Sequence, residues 1–290
     1  MNSFSLRACA KINLGLEVLD RRPDGFHNIQ SIFLAVDLHD TLEISESDAP
    51  EVICIPPVTA NATDNLVSKA IALYTTMFPQ EIRTAKITVH KRIPTGGGLG
   101  GGSSDAAAAL LGMALLNGHH ISDSTRARLK PLAEQLGSDV PFFLRAGIAL
   151  VEGRGESITP LHIDLPWVVL LICPGIKIDT SQAYSTLGIT RGELKGELVE
   201  SLTQVLDNKG YLRDLFINNF EPTVFVQHPL LATIKHDLYE QSAVYASMSG
   251  SGSTVYGLFT NVDNAEKARS AFSSMDTYIC HPVNASFLRP

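Results

Sequence analysis

Six glycines fall within seven consecutive residues, Gly96, Gly97, Gly98, Gly100, Gly101 and Gly102, with Leu99 between the triplets and Ser103-Ser104 directly behind. The chemistry this pattern suits is anion binding. Glycine lets a ligand approach the backbone closely and accepts positive φ. Asp105-Ala106-Ala107-Ala108-Ala109-Leu110-Leu111 follows as a strong helix start. A helix N-terminus attracts phosphate through free N–H groups and the helix dipole. A flexible linker would not run straight into a helix, so the stretch reads as the phosphate loop of a nucleotide enzyme. Asp105 suits the dipole but would repel a phosphate, and its carboxylate is expected to point aside.

Two other phosphate loops fit poorly. One places Lys and then Ser or Thr after its last glycine, whereas Gly102 is followed by Ser103. The G-x-G-x-x-G dinucleotide fingerprint is met by Gly96, Gly98 and Gly101, and Asp123 lies near the distance of its acidic residue. That acid belongs at the end of a second strand, and Asp123 follows Ile121-Ser122 at a helix start. A nicotinamide-binding oxidoreductase is therefore an outlying alternative.

The elements that must position this loop come from a chain of 290 residues, enough for one large domain or two medium ones. Hydrophobic content of 44% and charged content of 18% mark a folded globular chain. A net charge of −7 argues against a nucleic-acid surface, so attraction for an anion must come from helix ends and single lysines. Cys9, Cys54, Cys173 and Cys280 are widely spaced, which disfavours a disulfide framework or zinc site and suits a reducing cytoplasm. Arg7 and Lys11 break the apolar start, so no signal peptide is expected. The longest apolar run, Trp167 to Cys173, suits a buried strand and is too short to span a bilayer.

Strands are expected over Asn2 to Leu19, Ile29 to Leu38, Asp40 to Ser45, Val52 to Ile55 and Ala85 to Ile93, with a turn at Arg21-Arg22-Pro23-Asp24-Gly25. Asp64 to Met77 has helical spacing. Helices are expected from Ser103 to Leu116 and from Ser122 to Leu136, and a hairpin from Ala146 to Glu152 and Glu156 to Pro160. Beyond a boundary near Pro160 to Leu165, a strand at Val168 to Cys173 precedes helices at Thr180 to Thr186, Glu193 to Asp207, Tyr211 to Phe216 and Pro229 to Tyr239. Strands at Val244 to Met248 and Thr254 to Thr260, a helix at Asn264 to Met275 and a strand at Thr277 to Pro282 complete the chain. The mixture predicts an α+β fold whose second half has a split βαβ layout.

Pro94-Thr95-Gly96-Gly97-Gly98-Leu99-Gly100-Gly101-Gly102-Ser103-Ser104 resembles the P-x-x-x-G-L-G-S-S-A-A signature of the GHMP small-molecule kinases. Two further segments, Ala8-Cys9-Ala10-Lys11-Ile12-Asn13-Leu14 and Ser247-Met248-Ser249-Gly250-Ser251-Gly252-Ser253, resemble that family's other motifs, in the family's order. Arg22-Pro23-Asp24-Gly25-Phe26-His27, Asp64-Asn65-Leu66 and Leu136-Gly137-Ser138-Asp139-Val140-Pro141-Phe142-Phe143 narrow the likeness to members acting on a cytidine-diphosphate-linked polyol of the non-mevalonate isoprenoid route.

The resemblance implies a two-lobed fold, with residues 1–160 as an N-terminal lobe and 161–290 as a ferredoxin-like C-terminal lobe. It implies ATP and Mg²⁺, and transfer to the 2-hydroxyl of 4-diphosphocytidyl-2-C-methyl-D-erythritol. A homoserine or mevalonate kinase-like activity is the nearer alternative, disfavoured because those substrates have no base to stack.

Taken alone, Lys11 reads as a lysine lying along an apolar surface and Asp139 as a turn cap. The resemblance makes Lys11 the catalytic cation and Asp139 the base that accepts the hydroxyl proton, with direct in-line transfer. It makes Asn65, Leu66, Pro94, Gly96, Gly97, Gly98, Leu99, Gly100, Gly101, Gly102, Ser103 and Ser104 the ATP site. It assigns the substrate to Asn13, Phe26, His27, Thr180 and Tyr184, with Phe26 standing where the family often has tyrosine and Tyr184 as the facing ring. Ser249, Gly250, Ser251 and Gly252 would wall the phosphate loop. No nucleic-acid or membrane partner is implied, no protein-bound structural metal is expected, and the assembly is expected to be a monomer or weak homodimer.

Overall fold

A computed structural model describes residues 3–58, 65–81, 83–187 and 198–284. Two very long strands, β1 (Ser3–Arg21) and β2 (His27–Ser47), pair antiparallel along nearly their whole length. The turn joining them is closed by the Arg22 N–H on the Phe26 carbonyl at 2.7 Å. The other edge of β2 is shared. Its first half takes β5 (Ile148–Gly153) and its second half takes β4 (Thr84–His90). Short strands β3 (Glu51–Ile55) and β6 (Ser157–Pro160) flank this six-stranded sheet. Helices α1 (Leu66–Met77) and α2 (Gly101–Leu116) pack against it, α4 (Val140–Phe143) meets β2 through Phe142 on Phe33, and α3 (Asp123–Leu136) packs on these three helices.

The second sheet is built from β7 (Val168–Cys173), β8 (Tyr245–Met248), β9 (Val255–Phe259) and β10 (Asp276–Cys280), in the order β10-β7-β9-β8 and antiparallel throughout. Its helices are α5 (Thr180–Thr186), α6 (Leu198–Leu206), α7 (Leu212–Leu215), α8 (Glu221–Gln227), α9 (Pro229–Glu240) and α10 (Val262–Arg269). Two sheets with helices packed on them make the fold α+β, and the second has the split βαβ order expected.

The first sheet is covered on both faces. Phe33 and Ala35 pack with the helices, while Ile32, Leu34 and Val36 pack with Val169, Leu171 and Tyr256 of the second sheet. A strand buried on both faces shows no polar alternation. This, with a bulge, is why the sequence divides β2 into two strands. Cys9 pairs with His39 and Ala10 with Val36, so Asp37 and Leu38 are extra residues on β2 and the strand continues through them.

Helix α2 is the central helix, with twelve of its sixteen residues buried. It begins at Gly101, two residues before the expected Ser103, because the last glycines are already helical. Strand β4 ends at His90 rather than Ile93, the chain then turning so that Lys91 and Ile93 reach inward. Helix α10 stops at Arg269 and a 3₁₀ turn, Ser270–Phe272, replaces its expected end. Helix α8 has no counterpart in the sequence reading. The expected starts at Asp64 and Glu193 lie outside the described residues.

Candidate active site

The glycine loop crosses from β4 to α2 and is fixed by three successive carbonyls. Thr254 N–H donates to Gly97 O at 3.1 Å, Ser249 Oγ to Gly98 O at 2.9 Å, and Lys11 N–H to Leu99 O at 3.0 Å. Gly98 (φ +78°) tolerates no side chain, since a Cβ there would lie 2.1 Å from the Ser249 carbonyl oxygen. Gly100 (φ +71°) is the N-cap of α2 and donates no side-chain cap, so the helix's first N–H groups keep free bonding capacity. At Gly96 the space a Cβ would take is open. The loop lines a cavity of about 370 Å³ together with Asn65, Leu66, Lys91, Pro94, Ser103 and Asp105. Its glycine lining and free helix end fit a nucleotide polyphosphate.

Asn65 caps α1, its Oδ1 accepting from Val67 N–H at 2.8 Å while its amide reaches Cys54 Sγ at 3.0 Å. Asp105 turns to a buried cation while still lining the cavity. It meets Lys91 Nζ at 2.6 Å, and Lys91 also meets Asp40 at 2.5 Å. Asp40 further accepts the backbone N–H groups of Arg92 and Ile93, which pins the chain where β4 gives way to the loop.

Lys11 stands on β1, buried, with Nζ 3.5 Å from Asp139 Oδ2. It donates to Asn13 Oδ1 at 2.7 Å and lies 4.7 Å from the centroid of the Phe33 ring. Residues two apart on a strand share a face, so this Lys11–Asn13 contact is local. Asn13 in turn donates to Ser31 Oγ at 3.0 Å, and Ser31 Oγ donates to the Gly15 carbonyl. Tyr256 from the second sheet donates to the Asn13 carbonyl at 2.6 Å. Asn13 is therefore hydrogen-bonded to Lys11, Ser31 and Tyr256. Asp139 sits at the N-cap of α4 yet makes no capping hydrogen bond, and its half-exposed carboxylate stays available.

On the far side of Asp139 lies an aromatic group. The His27 and Tyr184 rings stack with centroids 5.3 Å apart and planes 19° apart, and Phe220 meets Tyr184 edge-on at 4.8 Å. Burial pushes the Tyr184 hydroxyl up to about 12, and the nearby Asp139 charge adds to it. Burial, with the Arg21 charge beside it, holds His27 below the usual histidine range and so neutral at pH 7. Phe26 is exposed at the β1–β2 turn, with the Arg154 guanidinium 5.2 Å from its ring centroid. His27 lies against Tyr184, while Phe26 stands apart at the turn. Thr180 Oγ1 lies 3.0 Å from Ser251 Oγ, tying α5 to the Ser249–Gly252 turn.

That turn has supports the sequence reading missed. Buried Asn218 donates to the carbonyls of Met248 and Gly250 at 2.8 and 2.9 Å. Glu221 accepts from Ser247 Oγ and Met248 N–H and pairs with Lys235. The available signal is Asn218 and Glu221 standing around apolar Phe220.

Residues 65–147 match the GHMP kinases N terminal domain and residues 198–276 the GHMP kinases C terminal domain. A 4-diphosphocytidyl-2-C-methyl-D-erythritol kinase of Solibacter usitatus is 42% identical over 94% of this chain and 86% of its own length. The chain belongs to the GHMP kinases, in the 4-diphosphocytidyl-2-C-methyl-D-erythritol kinase family. This family membership makes it a small-molecule kinase. A Chlorobium luteolum member of the family is 40% identical over 92% of this chain and 93% of its own. A crystal structure of a 4-(cytidine 5'-diphospho)-2C-methyl-D-erythritol kinase superposes with a TM-score of 0.81 at 30% identity, covering 96% of this chain and 98% of that one. The homoserine kinase of Cytophaga hutchinsonii, at 21% identity and a TM-score of 0.70, shares the fold, covering 98% of this chain and 96% of its own.

Proposed function

We propose that this kinase transfers the γ-phosphoryl group of ATP to the 2-hydroxyl of 4-diphosphocytidyl-2-C-methyl-D-erythritol, a step of the non-mevalonate route to isoprenoid precursors. The observation that carries the reading is the Lys11–Asp139 pair at 3.5 Å, set between the fixed glycine loop and the His27–Tyr184 stack. Asp139 takes the proton of the attacking hydroxyl, the oxygen–phosphorus bond forms, and the bond to the β-phosphate bridging oxygen breaks in line. Lys11, oriented by Asn13, offsets charge on the transferring group. The glycine loop and the start of α2 hold the phosphates, and Asn65 and Leu66 flank the nucleotide. Phe26, His27 and Tyr184 hold the cytosine base, and Thr180 shapes the wall beside it.

Mg²⁺ neutralises phosphate charge in such transfers. No group of three or more His, Cys, Asp or Glu able to hold a metal ion occurs among the described residues. An ion arriving with the nucleotide would supply that neutralisation beside the glycine loop. We read the enzyme as cytoplasmic, with its four cysteines as free thiols, and as a monomer or weak homodimer. No helix of the described residues is long and apolar enough to cross a membrane.

Coupled measurement of ADP release with MgATP and the CDP-polyol, beside homoserine and mevalonate, tests the reading. Release with the CDP-polyol alone is expected. Release with homoserine or mevalonate instead would overturn the cytidine assignment and leave the phosphate loop standing.

A further inference from the structure

Two carboxylates share one ammonium group in the wall of the nucleotide cavity. Lys91 Nζ lies 2.6 Å from Asp105 Oδ2 and 2.5 Å from Asp40 Oδ2, and all three side chains are buried. Asp40 is fully committed, since its other oxygen accepts the N–H groups of Arg92 and Ile93. Asp105 is not. Its Oδ1 is buried without a hydrogen-bond partner among the described residues, and Asp105 and Lys91 are the charged residues that line the cavity. With both carboxylates ionised, the cluster carries an excess negative charge beside the place where a polyanion binds. Like charges close together in a buried site cannot both stay ionised cheaply.

We propose that Asp105 is the proton-linked positioning residue of the nucleotide site: it takes up a proton from solvent when ATP binds. The inference rests on reading the glycine loop as the ATP site. Protonation leaves Lys91 balanced by Asp40 alone and turns Oδ1 from an unpaired acceptor into a donor. Lys91 then still anchors the start of the loop. Without ligand, burial already pushes Asp105 up to about 7, with the Asp40 charge adding and Lys91 opposing. A nearby polyphosphate moves it further in the same direction.

Besides Lys91 and Asp40, β3 contributes the Cys54 thiol, raised chiefly by its burial, and β1 contributes Cys9, pushed up to about 12 by burial. Both thiols are protonated at neutral pH. Helix α1 packs on α2 through Val67, Ala70, Ile71 and Tyr74, the phenol also kept protonated by burial. Helix α3 meets α2 with Leu129, Leu132 and Ala133, and α4 with its apolar residues Val140–Phe143.

Calorimetric titration of the whole protein with MgATP at pH 7.5, in buffers of differing ionisation enthalpy, tests this against Asp105→Asn. A rise of one pH unit in the Asp105 midpoint corresponds to uptake of about half a proton at that pH. The difference between the two proteins removes any protons exchanged by the nucleotide itself. The wild-type protein is expected to take up that extra fraction, and its ATP affinity to fall more steeply between pH 7 and 8.5 than the variant's. Infrared difference spectra of the wild-type protein alone, read for a protonated carboxyl stretch appearing with ATP, give the same answer without a variant. Equal proton uptake in both proteins and no new carboxyl band would overturn the proposal while leaving ATP binding intact. Absence of ATP binding in the wild-type protein would overturn the phosphate-loop reading, and this proposal with it.

Discussion

Gly96→Ala and Gly98→Ala make a matched pair that tests how the phosphate loop is held. Both positions have φ near +75°, so an alanine at either costs about 1–2 kcal/mol of left-handed strain. At Gly96 nothing else opposes the new methyl group. At Gly98 the Cβ would lie 2.1 Å from the Ser249 carbonyl oxygen, which accepts from Gly252 N–H at 3.0 Å. Moving that carbonyl breaks this bond and the Ser249 Oγ bond to the Gly98 carbonyl. At about 1 kcal/mol for each bond, Gly98→Ala should be about 2 kcal/mol less stable than Gly96→Ala. For a chain of 290 residues that is a melting temperature lower by about 3 °C. The same displacement moves the loop against Lys11, whose N–H is bonded to Leu99 O, and misplacement by about an ångström costs about a hundredfold in rate. Thermal unfolding and kcat/KM for ATP at saturating CDP-polyol are the assays. Equal melting temperatures and equal kcat/KM for the two variants would refute the claim that contact with the Ser249 turn sets the loop.

Asp139→Asn should lower kcat by about 10²–10⁴-fold with ATP binding by calorimetry unchanged, and a variant retaining full turnover would remove Asp139 as the base. Asn13→Leu should lower kcat, because Lys11 loses its 2.7 Å partner, with ATP affinity nearly constant; a change confined to the KM of the CDP-polyol would instead make Asn13 a base reader. Tyr184→Ala should raise the KM of the CDP-polyol by about five- to tenfold, a stacked pair being worth about 1 kcal/mol, and leave the KM of ATP alone. Asn218→Ala removes the donor to two buried carbonyls and should cost about 2–3 kcal/mol in denaturant unfolding, with unchanged stability arguing that water replaces the amide.

The sequence made the glycine loop and α2 legible because their signals are local: consecutive glycines, then an alanine-rich helix start. Strand β4 was legible for the same reason, its alternating residues Ala85, Ile87 and Val89 lying buried with partly exposed residues between them. The continuity of β2 was not, since burial on both faces erases alternation and the Asp37-Leu38 bulge imitates a break. Helix α8 is a seven-residue helix with proline at its start, too short for a helical period to emerge. At the site, residue types were legible and partners were not. Lys11 and Asn13 are two apart on one strand, so their contact follows from strand geometry. Asp40, Lys91 and Asp105 come from three separate elements and meet only when β2, the end of β4 and α2 pack together. No local pattern in any of the three segments announces that meeting.

The site's charge balance explains how a chain with a net charge of −7 can hold a polyanion. Lys11 faces Asp139, and Lys91 faces Asp40 and Asp105, so these two lysines are met by three carboxylates. With all three carboxylates ionised, these clusters bring no net positive charge to the site. Among the described residues lining the cavity, what remains is fixed dipole: the uncapped start of α2 and a loop whose carbonyls at Gly97, Gly98 and Leu99 are already bonded to protein donors. Dipoles held in place need no reorganisation when charge arrives, which is why the loop's anchoring matters more than its count of cations. It also gives the second sheet its part in the chemistry. Ser249 and Thr254 flank the turn joining β8 to β9, and they hold two of those three carbonyls. Asn218 and Glu221 hold that turn from behind. The glycine loop that follows the first sheet's β4 is thus held by residues of the second sheet, and neither sheet builds the cavity wall alone.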